Sequence, residues 1–128
     1  MPASTSPRWS KNPSLAIESF DKNDLLRIGN QVGLNIDGVA RGAFTNILGT
    51  VDDPTTVTMQ VAKPSGTILT YGWPTAGVDG TLTRESLGRF YFDVLVDESG
   101  YWSWNMGGTG VVQTAQEGVF YARVSAFV

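Results

Sequence analysis

A chain of 128 residues, 41% hydrophobic and 16% charged, is long enough to bury a core of its own and too apolar to remain unfolded. Its nine basic and twelve acidic residues leave a net charge of −3, and the basic ones are scattered singly, which excludes the clustered cationic face that nucleic-acid binding needs. Neither cysteine nor histidine occurs, which excludes disulfides, thiolate metal sites, cysteine nucleophiles and histidine acid–base chemistry.

Residues 1–24 read as an extended N-terminal arm and residues 25–128 as the folded domain. The arm is rich in serine and interrupted by Pro2, Pro7 and Pro13, yet carries Trp9, Leu15, Ile17 and Phe20. A purely solvated tail lacks such side chains, so the arm is expected to lie over a neighbouring subunit rather than fray. The stretch from Met1 to Phe20 has no signal-like apolar core. No apolar run approaches the roughly 18 residues of a membrane span, so no membrane partner is expected.

From about residue 25 the apolar period is two, the mark of half-buried strands. Asp24-Leu25-Leu26 is the one place that suggests a helical turn. Val32, Leu34 and Ile36 share a face; so do Val57, Met59 and Val61. Residues 67–71 and 81–86 are further strands. Phe90, Phe92, Val94 and Val96 follow, then Trp102, Trp104 and Met106, then Phe120, Ala122 and Val124. Turn residues separate them: Asp52-Asp53-Pro54, Pro64-Ser65-Gly66, a longer turn from Gly72 to Gly80, Leu87-Gly88, and Asp97 to Gly100. About seven short strands spaced by roughly 8–12 residues predict an immunoglobulin-like antiparallel β-sandwich. Residues 38–49 read as a long loop with a short strand inside it.

Little chemistry is on offer. No G-x-S-x-G elbow occurs, and most carboxylates fall in turns, where aspartate bonds its own backbone. The acidic pairs Asp52/Asp53 and Asp97/Glu98 raise a calcium site, although no calcium-loop spacing is present. Gly107–Gly110 lacks the lysine of a phosphate loop. Trp102 and Trp104 share a face with Met106 and read as core. Tyr91, Tyr101, Tyr121 and Trp73 fall on opposite faces or in turns, as interface anchors do. The reading is therefore of a binding module with no catalytic residue and no cofactor.

Several segments in a fixed order carry a resemblance: Asp53 to Thr58, Pro64 to Thr67, Gly88 to Asp93, Gly100 to Trp104, Gly108 to Gln113, and Glu117 to Phe120. This order resembles that of the Ig-like virion structural proteins of tailed bacteriophages, over roughly residues 28–124. The resemblance implies a head decoration or minor capsid protein made in the host cytoplasm and carried in the virion. It implies as partners the major capsid protein or other virion subunits, with copies of itself in a symmetric array, and no cofactor. The arm and the 38–49 loop depart from the shared pattern and so are expected to choose the neighbour. Docking is accordingly expected through Trp9, Leu15, Ile17 and Phe20 of the arm and Phe44, Ile47 and Leu48 of the loop. The alternatives are a head–tail connector or tail location, and a carbohydrate-binding module with Tyr71 and Trp73 as its platform.

Overall fold

The computed structural model describes residues 8–9, 17–22, 24–30, 43–110 and 115–125. These contain strands and turns and no helix. The strands are β1 (Arg8–Trp9), β2 (Ile17–Phe20), β3 (Asp24–Gly29), β4 (Val57–Ala62), β5 (Ile68–Trp73), β6 (Gly80–Thr81), β7 (Thr83–Ser86), β8 (Arg89–Val96), β9 (Gly100–Gly108) and β10 (Ala115–Val124). They form a four-stranded sheet, β1-β3-β8-β7, and a six-stranded sheet, β2-β10-β9-β4-β5-β6. The two face each other as an all-β sandwich.

Alternation decides which side chains lie between the sheets. Val57, Met59 and Val61 of β4 are buried while Thr58 and Gln60 face out. In β9, Trp102, Trp104 and Met106 point inward. The facing sheet supplies Leu26, Ile28, Phe90, Val94 and Val96. Trp102 stacks on Phe120 at 5.9 Å and 10°, which fixes the middle of the core.

Residues 24–26 are not a helical turn. They open β3, which pairs with β8 through Leu26↔Val94 and Ile28↔Phe92. The paired Leu25-Leu26 hides an alternation that Leu26 and Ile28 reveal only against a partner strand. The strand expected around Val32 to Ile36 lies outside the described residues. Asn30 extends the β3 pairing by one step: its N–H donates to the Phe90 carbonyl at 3.0 Å, and its Oδ1 accepts from the Phe90 N–H at 2.9 Å. That explains a fully buried amide side chain.

The N-terminal segment closes an edge of each sheet. β1 adds in parallel to β3, and β2 adds in parallel to β10 with Phe20 opposite Val124. The β5 edge is covered by the segment that follows it. Asp79 N–H donates to the Thr70 carbonyl at 2.9 Å, and the Thr70 N–H donates to Asp79 Oδ2 at 2.7 Å. The remaining edge, β7, is four residues of exposed Thr, Arg, Glu and Ser, a polar edge that discourages pairing with another chain.

Tyr71 stacks on Phe92 at 4.0 Å, and burial, reinforced by Asp79, pushes its phenol up to about 12. An unfolded tyrosine titrates near 10. The folded state therefore holds this proton more tightly, and the resulting stability is complete below pH 10 and lost as pH rises through about 12. Urea denaturation between pH 9 and 12 is expected to show a loss on the order of 2 kcal/mol from this group, which Tyr71→Phe removes.

Candidate docking site

The sandwich has two ends of different chemistry. At one, the turns after β4 and β8 are tied by charge. Lys63 Nζ lies 3.0 Å from Asp97 and 3.7 Å from Glu98, and the Ser65 N–H and Oγ each donate to Glu98 at 3.0 Å. Trp102 Nε1 donates to the Glu98 carbonyl at 3.0 Å. Both Asp97 and Glu98 are thus engaged as turn ties.

At the other end, residues 43–52 form a small hairpin joined by the bridge Thr45↔Val51. Asparagine and glycine three apart make its turn. Gly49 N–H donates to the Asn46 carbonyl at 2.9 Å, while Asn46 Oδ1 accepts from the N–H groups of Leu48 at 2.9 Å and Thr50 at 3.2 Å. An aspartate or asparagine side chain that stands in for backbone partners in this way stiffens a turn. Ile47 and Leu48 occupy its tip, 97% and 85% exposed.

The hairpin is bolted down at its base. Phe44 is buried and its ring lies 6.0 Å from that of Phe90. The Phe44 N–H donates to the Gly88 carbonyl at 2.8 Å, and the Asp52 N–H donates to the Phe44 carbonyl at 3.1 Å. Asp53 completes the mount, accepting from Gly88 N–H at 2.7 Å and from Arg84 Nε at 2.8 Å. Val51 and Leu87, each partly exposed, continue the apolar surface from the tip toward the base.

The residues expected to dock therefore separate. Ile47 and Leu48 are brought together at the tip. Phe44 belongs to the core beneath them. Phe20 is also core, 2% exposed with its ring 6.5 Å from that of Phe120, so neither phenylalanine faces outward. The backbones of Trp9 and Ile17 run in β1 and β2, on the chain's own sheets. Leu15 lies outside the described residues. Asn46 and Gly88, which position the tip together with Asp53, carry no site role in the sequence reading, and Asp53 enters it only through the acidic pair considered for calcium. The Asn46/Gly49 spacing is the signal that marks the turn.

The other site chemistries find no support in the geometry. Asp52 Oδ1 accepts from the Asp53 N–H at 2.9 Å, and Asp53 is committed to Gly88 and Arg84. Among the described residues no group of three or more aspartate, glutamate, histidine or cysteine side chains gathers to hold a metal. Tyr71 is buried, and Trp73 is half-buried with its ring 4.7 Å from that of Phe90, so these two rings offer no exposed platform. Among the described residues Tyr101 is the aromatic that faces outward, at 62% exposure and edge-on to Tyr121 at 4.9 Å. Comparison of the chain with family models, curated proteins and solved structures finds no match.

Proposed function

We propose that this chain is a non-catalytic, immunoglobulin-like structural module of a bacteriophage virion, held on the capsid surface by protein–protein contacts. The observation that carries the reading is the tip of the 43–52 hairpin: two large aliphatic side chains displayed almost fully to solvent on a braced mount. A stiff turn spends little ordering entropy when it docks, which is how a preorganised loop gains affinity.

Magnitudes favour an array over a one-to-one partner. Full burial of two such side chains contributes about 3–6 kcal/mol. Association costs an estimated 4–15 kcal/mol, so a lone contact of this size holds poorly. Presented in many copies on a fixed lattice, the same contact is multiplied by effective concentration. The order of motifs, which resembles that of Ig-like virion proteins, supplies the setting. The engagement of Asp53, Asp79, Asp93, Asp97 and Glu98 in ion pairs and turn bonds supports a body without acid–base work.

The test is substitution at the tip. Ile47→Asp and Leu48→Asp place charges where the side chains are almost fully exposed, so the fold is expected to be retained. Burial of such a charge in an apolar socket is costly, and occupancy on purified particles, counted by mass spectrometry against the major capsid subunit, is expected to fall at least about tenfold. Unchanged occupancy sinks the reading. The same count, compared with the capsid lattice, separates surface decoration from a connector or tail ring.

A further inference from the structure

We propose that the outer face of the six-stranded sheet carries a binding site for a neutral saccharide, set in a hollow that β10, β9, β4 and β5 share. The site goes beyond the docking role of the Ile47–Leu48 tip and stands or falls separately from it.

Register builds the hollow. Val119 pairs with Ser103, Ser103 with Ala62 and Ala62 with Ile68, so one row across the four strands has small side chains in its middle and branched aliphatic ones at its ends. The neighbouring row runs Glu117, Asn105, Gln60 and Thr70 by the same pairings. The hollow they frame encloses about 420 Å³, within the roughly 300–1,000 Å³ of small-molecule sites. On the far side of Ser103 stands Tyr101, on the same outward face of β9, 62% exposed and held edge-on by Tyr121 at 4.9 Å.

The chemistry of this face selects the ligand. Gln60 and Asn105 sit side by side and point outward, and neither side-chain amide hydrogen-bonds within the described structure. Each amide offers donors and an acceptor, so the pair can grip adjacent hydroxyls, each of which also gives and takes a hydrogen bond. Ser103 adds a hydroxyl from the floor. A pyranose is polar round its rim and presents C–H groups on its faces. Ile68, Val119 and the Tyr101 ring suit those faces, while the amides suit the rim.

Other ligand classes fit less well. Glu117 is the only charge in the two rows, and its sign opposes phosphates, nucleotides and acidic glycans. A lipid chain would bury the two amides and the hydroxyl without partners, which is costly. An extended peptide docks by adding to a strand edge. The hollow lies mid-sheet, where β9 and β4 already commit their N–H and carbonyl groups to flanking strands, so side chains must do the bonding there.

The test is a titration of isotope-labelled full-length protein, followed by NMR, with short neutral oligosaccharides of the gluco-, manno-, galacto- and N-acetylglucosamine series. Sialylated and uronic-acid oligomers serve as the acidic control. At least one neutral series is expected to bind and to shift the amide signals of Gln60, Ser103 and Asn105. Gln60→Ala and Asn105→Ala are each expected to weaken that binding at least about tenfold, because a sugar hydroxyl then loses its partner. Tyr101→Ala weakens it as well. All three side chains are exposed, so these variants keep the parent's urea midpoint. Ile47→Asp, which removes the docking tip, leaves the same sugar's affinity unchanged and so keeps the two readings apart. No binding by any neutral series, a preference for the acidic ones, or binding that Gln60→Ala and Asn105→Ala leave intact overturns the proposal.

Discussion

Trp102→Ala is expected to cost the fold about 3–5 kcal/mol. The side chain is fully buried, stacked on Phe120, with Lys63 Nζ 6.0 Å above its ring and its indole N–H bound to the Glu98 carbonyl. Alanine would leave a cavity at the centre of the sandwich and release the carbonyl that fastens the turn after β8. Against a total stability of about 5–15 kcal/mol for a single domain, this is a fifth or more. Trp102→Phe keeps a ring but loses the hydrogen bond, and is expected to cost about 1–2 kcal/mol. Urea denaturation of the two variants checks both values. A Trp102→Ala protein as stable as the parent would mean that the sheets do not close over this ring.

Gly88→Ala is expected to cost about 2–3 kcal/mol and to loosen the docking hairpin selectively. Gly88 has φ +72°, in the left-handed region where a side chain is strained. A Cβ there would also sit 2.9 Å from the Phe44 carbonyl oxygen, 3.0 Å from that of Asp52 and 3.0 Å from Val51 Cγ1. These are the atoms at the base of the hairpin, and the backbone among them cannot simply swing aside. Gly49 separates strain from crowding. Its φ is +80°, yet nothing lies within 4 Å of the added carbon, so Gly49→Ala is expected to cost only about 1 kcal/mol. Amide hydrogen exchange provides the readout: in Gly88→Ala, exchange at residues 44–52 accelerates while that in β4 and β9 holds. Uniform acceleration across the sheets would contradict the bracing role.

What could be read from the chain beforehand follows from where each signal resides. β4, β8, β9 and β10 carry their evidence internally, because Val57/Met59/Val61 or Trp102/Trp104/Met106 alternate whatever they pair with. β3 does not, since Leu25 is apolar on the outward side and masks the alternation of Leu26 and Ile28. The docking set shows the same limit. Phe44, Ile47 and Leu48 are three apolar residues within five positions, and composition treats them alike. They part company only because Gly88 and Phe90 come from more than forty positions away to cover the first. Phe20 likewise becomes core through Phe120, a hundred positions on. The turns at Lys63–Gly66 and Asp97–Gly100 were legible, but their ties through Lys63 and Glu98 needed the two ends brought together.

The parallel pairing of β2 with β10 also sets how the molecule bears a pull. The chain enters β2 at one end of the sandwich and leaves β10 at the other, so tension applied at Ile17 and at Val124 runs lengthwise through the shared ladder from Ile17↔Tyr121 to Phe20↔Val124. In that geometry the rungs are sheared together, as in a lap joint, whereas a hairpin opened from its free end gives way one rung at a time. Forced unfolding is therefore expected to be slower for a pull between Ile17 and Val124 than for one that opens the β9–β10 hairpin, which makes the module mechanically anisotropic.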